Sequence, residues 1–147
     1  MVWVRDEGSL FDAPLALIWK FVGSGPAHSE AHRHRDARRA VLSDNSGEYS
    51  WVQDSDGVAE RFTMRWTAFP PVGIAYEVRE GPFAGSEFFL YYTPHGERTE
   101  VTVVGEFVGP DLPPDAVAQA ALRFFAVEFD QDSAAIRELA RSARSGR

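Results

Sequence analysis

The chain contains no cysteine, which excludes disulfides, thiolate metal sites and cysteine nucleophiles. Lysine is nearly absent as well. Lys20 stands alone against fourteen arginines, leaving one candidate for Schiff-base chemistry. No run of about 18 apolar residues occurs, so no transmembrane helix and no membrane insertion are expected. The opening "MVWVRDEGSLF" brings in Asp6 and Glu7 with no apolar stretch behind them. A signal peptide is therefore not expected, and a cytoplasmic protein is. There is no G-x-S-x-G elbow and no phosphate-binding glycine loop; "GSGP", "AGSE" and "GPFAG" read as ordinary turns. Positive charge is scarce too, with a formal net charge of −7. The basic clusters "RHRDARR" and "RSARSGR" carry no stacking aromatics, so no nucleic-acid partner is expected.

What is present fits one globular domain. The chain has 147 residues, 44% of them apolar and 25% charged. That length buries roughly two-thirds of the unfolded chain's surface. A single domain over 1–147 is expected, with about 142–147 as a flexible tail. No internal repeat or low-complexity block interrupts it.

Turn signals punctuate the middle: "DNSG" (44–47), "DSDG" (54–57), "PPVG" (70–73), "GPFAG" (81–85) and "PHGE" (94–97). Glycine, proline and Asp/Asn each favour turns for their own reason, and this regular spacing marks hairpins. The segments between alternate with period two. Glu60 to Thr67 sets Phe62, Met64 and Trp66 against Arg61, Thr63, Arg65 and Thr67. Glu48 to Gln53, Gly73 to Glu80 and Arg98 to Phe107 behave likewise. Ser86 to Thr93, "SEFFLYYT", is aromatic on both faces, which suggests an outer face covered by a second copy, a homodimer. Strands are also expected over Val2 to Phe11 and around Arg38 to Ser43. One polar face per strand implies an antiparallel sheet covered on one side.

Helices are expected at both ends of the chain. "DAPLALIWKFV" offers Asp12 as a cap, Pro14 in the first turn, and an apolar stripe of Leu15, Ile18, Trp19 and Val22. A short second helix is expected from Pro26 to His32, and a long last one from about Pro113 to Ala143. On the last helix, at about 100° per residue from Phe124, Ala121, Phe125, Phe129, Ala135 and Ile136 share an apolar arc of roughly 140°. Glu128 and Asp132 fall inside that arc, at about 40° and 80°. Arg123, Asp130, Arg137 and Arg141 lie on the opposite face. Buried carboxylates need partners. They either pair with an arginine or a tyrosine hydroxyl, holding the helix to the sheet, or serve a ligand or reaction.

This order of elements resembles the helix-grip fold of the START-like superfamily, which includes plant allergens, lipid-transfer domains and polyketide cyclase/dehydrase-type proteins. The resemblance rests on "FDAPLALIWKFV" (11–22), "YYTPHGERTEVTVVGEF" (91–107) and "RFFAVEFDQDSAAI" (123–136). It implies an α+β fold: a curved seven-stranded antiparallel sheet, two short helices near the N-terminus, and a long C-terminal helix over a hydrophobic cavity.

The candidate ligand-binding residues are Trp51, Met64, Trp66, Tyr76, Phe88, Tyr92, Phe125, Glu128, Phe129 and Asp132. Apolar walls with a few convergent polar groups make the usual ligand site. Three functions stay open. The first is binding of a hydrophobic or aromatic small molecule, lipid or polyketide-like. The second is a polyketide cyclase/aromatase-like enzyme in which Glu128 or Asp132, with Tyr76, moves protons. The third is a chaperone-activator-like interaction module. "HSEAHRH" places His28 and His32 four apart, but no third ligand completes a motif of the H-E-x-x-H kind. The histidines are read as surface or rim residues, His95 as solvent-facing, and no metal or cofactor is expected.

Overall fold

A computed structural model describes residues 1–55, 57–109 and 111–146, the side chains of 25–27 and 55 aside. Asp56 of the "DSDG" turn and Arg147 of the expected tail lie outside them. The strands are β1 (Val2–Arg5), β2 (Ser9–Phe11), β3 (Arg35–Ser43), β4 (Ser46–Ser55), β5 (Val58–Phe69), β6 (Gly73–Glu80), β7 (Glu87–His95) and β8 (Arg98–Phe107). The helices are α1 (Leu15–Gly23), α2 (Gly25–Ala31) and α3 (Pro114–Ser145). The strands form one antiparallel sheet in the order β1-β8-β7-β6-β5-β4-β3, with β2 also on β8. This is the helix-grip arrangement. No helix of the described residues is long and apolar enough to cross a membrane.

The sheet differs from the expected one in having eight strands. The first expected strand, Val2 to Phe11, is split. Gly8 takes a φ of +83°, open to glycine at little cost. Oδ1 of Asp6 fills the gap, accepting the Gly8 N–H at 3.1 Å and the Val103 N–H at 3.0 Å. Beyond this bulge β2 resumes pairing, with Leu10 opposite Glu100. α1 also starts differently. Pro14 is its N-cap, with no side-chain cap, and Asp12 instead lies 3.8 Å from Arg98. α3 runs through Ser145, over most of the segment expected as a tail.

Register follows the alternation. Trp51 pairs with Phe62, Met64 with Val78, Trp66 with Tyr76 and Tyr92 with Val101. Paired side chains share a face, so these all point inward. At the far edge β3 is exposed along its whole length. Its charged residues, Arg35 with Asp54 and Arg38 with Asp36, discourage edge-to-edge pairing.

Two apolar cores form beneath α3. One joins Trp51, Phe62, Met64, Val78, Phe88, Val103 and Phe107 to Val117 and Ala121. The other joins Phe11, Ile18, Phe21, Tyr92 and Val101 to Ile136. The first half of α3 thus packs on the sheet and the second half on α1. Glu128 and Asp132 lie at the seam.

Asp6→Ala tests the bulge. It leaves the Val103 N–H without its acceptor at a part-buried site, and should cost about 1–3 kcal/mol. The expected result in urea denaturation is a lowered midpoint with an unchanged slope.

Candidate functional site

The site is built from two facing helical pairs. α2 and the residue that ends it present His28 and His32; α3 presents Glu128 and Asp132. Both pairs are spaced i, i+4, which puts each on one helical face. His32 Nε2 lies 2.8 Å from Asp132 Oδ1, and His28 Nε2 lies 3.4 Å from the same oxygen. On the other side of the ring, His32 Nδ1–H donates to Gln131 Oε1 at 2.6 Å. Glu128 Oε2 is 3.1 Å from that nitrogen. The His32 side chain is 1% exposed, against 21% for Glu128 and 22% for Asp132. Although close, His32 Nε2 and Asp132 Oδ1 are not aligned for a hydrogen bond, and both are buried without one.

His34 extends the cluster into the sheet. Its Nδ1 meets the Tyr49 hydroxyl at 2.6 Å, and that hydroxyl meets Ser29 Oγ at 2.7 Å. Its ring stacks on Trp51 at 4.4 Å. Trp51 in turn stacks on Phe62, so the polar cluster abuts the first core directly.

Burial alone would push His32 down, but Asp132 and Glu128 overcome it and hold the imidazole at about 9. Burial pushes Glu128 up to about 6, against the pull of His32. For Asp132 burial acts upward, but His28 and His32 outweigh it and hold the carboxyl below its usual range. Burial and the neighbouring His32 and His28 push His34 down to about 3. The four groups therefore divide into a charged pair, His32 with Asp132, and two groups biased toward neutrality.

A cavity of about 50 Å³ opens beside the cluster. Its walls come from the sheet (Leu90, Tyr92, Val101, Val103), α1 (Ile18, Phe21, Val22), β2 (Phe11) and α3 (Phe125, Phe129, Ile136). Asp6, Ser9, Glu128 and Asp132 give it polar edges. Phe11 and Phe129, both in this lining, stack with centroids 4.7 Å apart.

Of the residues expected to bind ligand, Tyr92, Phe125, Glu128, Phe129 and Asp132 line this cavity. Trp51, Met64 and Phe88 sit instead in the closed core. Phe88 is packed on Tyr76, Phe107 and Phe125. Trp66 lies over Gly47, where an added Cβ would come within 2.6 Å of the indole. Tyr76 packs against the first core, and burial raises its phenol beyond the ordinary range, with Asp132 and Glu128 adding to the effect.

Two expectations are corrected. The carboxylates pair with histidines, not with an arginine or a tyrosine hydroxyl, because Arg61 and Arg65 take the outer face, with Arg61 donating to Ser50 Oγ and Arg65 to Glu48. His32 is not a surface or rim residue: it is buried under α3. Gln131, Ser29 and Tyr49 were not anticipated at all. The signal available in the sequence was the match between two i, i+4 pairs of opposite charge type.

No family model matches the sequence, and no curated protein matches it significantly. Solved structures share its fold. The Zhui aromatase/cyclase from Streptomyces sp. R1128 superposes with a TM-score of 0.73 at 16% identity, over 99% of this chain and 95% of that one. The di-domain ARO/CYC StfQ from the steffimycin biosynthetic pathway gives 0.73 at 13%, over 99% of this chain and 52% of that one. Ara h 8.0201 gives 0.67 at 13%, over 92% of this chain and 97% of that one. At these identities the likeness is one of fold, and the fold is the helix grip.

Asp132→Asn removes the charge nearest His32. The expected loss is about 1–3 kcal/mol, below the value for fully buried pairs because Asp132 is 22% exposed. Asp130→Asn, on the exposed face two residues away, should change stability by less than about 0.5 kcal/mol. Chemical denaturation of the two variants separates an inward acid from an outward one.

Proposed function

We propose that the chain binds a hydrophobic or aromatic small molecule, lipid- or polyketide-like, between the sheet and α3. One observation carries this reading: an apolar cavity walled by the sheet, α1 and α3 ends on the carboxylates of Glu128 and Asp132. Apolar walls supply affinity, and a few fixed polar groups orient the guest. The likeness in fold to Ara h 8.0201 and to the aromatase/cyclases adds support.

At about 50 Å³ the cavity is smaller than the roughly 300–1,000 Å³ of pockets for drug-sized ligands. We infer that a guest makes room by parting Phe11 from Phe129, which stack in the cavity's lining. These rings bridge β2 and α3, so binding would couple to movement of the first segment against the last helix.

A cyclase/aromatase-like reaction is the second reading. What favours it is an imidazole–carboxylate pair, His32 and Asp132, next to the cavity wall. Such a pair can pass a proton to or from a guest in an aldol closure or dehydration. An interaction module has less support. The exposed large apolar side chains, among them Trp3, Val41, Leu42, Phe69 and Val72, are spread over several elements.

An aromatic fluorescent probe should bind one per chain, tighter than about 100 µM, and be displaced by fatty acids or naphthols. Absence of saturable binding at millimolar probe would remove the ligand-binding reading. Turnover of a polyketide mimic that is lost in His32→Gln, with probe binding kept, would move the conclusion to the enzyme.

A further inference from the structure

We propose that His28, His32 and Asp132 form a binding site for a divalent metal ion of the zinc class. In the sequence no third ligand completes a motif with the two histidines. Folding supplies that ligand from the far end of the chain. The donor atoms of the three residues lie within 4.8 Å of one another. Ligands of a tetrahedral zinc ion, bound at about 2.0–2.2 Å, stand roughly 3.3 Å apart. The observed separations from Asp132 Oδ1, 2.8 Å to His32 Nε2 and 3.4 Å to His28 Nε2, bracket that value.

Orientation supports the site independently of distance. His32 Nε2 and Asp132 Oδ1 are both buried and without a hydrogen bond, although they almost touch. Buried polar atoms are rarely left this way. A divalent ion held between His28, His32 and Asp132 would give both atoms a ligand bond in place of the contact they share. The side chain of His32 is 1% exposed, so water cannot serve that nitrogen freely.

The ring is also pre-set for the task. Gln131 Oε1 accepts the Nδ1 proton at 2.6 Å, so an ion binding at Nε2 would displace only the Nε2 proton and leave that bond in place. Fixing a ligating histidine through its other nitrogen is the usual outer support of a metal site. Two imidazoles and one carboxylate suit zinc and its transition-metal neighbours, whereas calcium and magnesium take oxygen ligands. Glu128 lies 3.1 Å from the opposite side of His32, outside this trio. Three protein ligands leave a coordination position open. Because Asp132 also lines the cavity, a guest oxygen is a natural occupant of that position. The site itself does not depend on any guest.

A second trio, His32, His34 and Glu128, also brings its donor atoms within 4.8 Å of one another. It is the weaker choice. It must use the His32 nitrogen already engaged by Gln131, or reach across the ring.

The test is zinc titration of the chelator-treated full-length protein by calorimetry, with cobalt(II) as a spectroscopic substitute. One zinc per chain should bind with a dissociation constant below about 1 µM, and cobalt should give the visible absorption of a four-coordinate site. His28→Ala should weaken zinc binding at least about tenfold. His28 is 29% exposed, and beyond Asp132 its ring meets only the edges of Phe21 and His32 among the described contacts, so the fold should survive its loss. His34→Ala and His95→Ala should leave the affinity unchanged. Failure to take up stoichiometric zinc would overturn the proposal, as would binding that survives His28→Ala, or that is lost in His34→Ala instead. Loss of probe binding with zinc binding intact would remove the cavity reading alone.

Discussion

Charge on the covered face of α3 is the constraint around which the rest of the molecule is arranged. A helix that must lie on an apolar sheet carries two carboxylates on the lying side. Desolvating them alone would cost several kcal/mol each. The fold meets this by dividing its core in two and placing the acids at the seam, where α2 delivers His28 and His32. α2 is short and has little apolar surface to hold it. Its position is tied to the ion pairs its histidines make with the acids, so the polar cluster is both the product of the packing and one of its causes.

Much of the architecture was legible in the sequence because period-two alternation and turn chemistry are local signals. Phe62, Met64 and Trp66 declare their face without reference to any other strand. The wheel of the last helix likewise separated Asp130 from Glu128 and Asp132. What stayed hidden was non-local. The split of the first strand depends on Asp6 reaching the Val103 amide, 97 residues away. The pairing of Asp132 with His32 depends on where α2 docks, which no periodicity encodes.

The aromatic residues show a different limit. Composition suggested a pocket lined by aromatic rings, and of the seven expected Tyr92, Phe125 and Phe129 line the cavity beside the acids. The others fill space. Phe88 sits among Tyr76, Phe107 and Phe125, and Trp51 is sandwiched between His34 and Phe62. A sequence shows that rings face inward but not whether they leave a void, because close packing is settled by side-chain shape across several strands.

The placement of β1 and β2 has a consequence for how the molecule assembles. Both strands pair with β8, so Val2 meets Phe107 and Phe11 meets Thr99. During synthesis these two strands therefore have no partner until the chain has been made as far as β8. Pairings this distant are entropically late and slow a fold's formation. The hairpins from β3 to β8 are each local and can form in order as they emerge. The N-terminal segment, with α1 and α2 attached, is left to close over a nearly finished sheet together with α3. The histidines and the acids would then meet only in that last docking step.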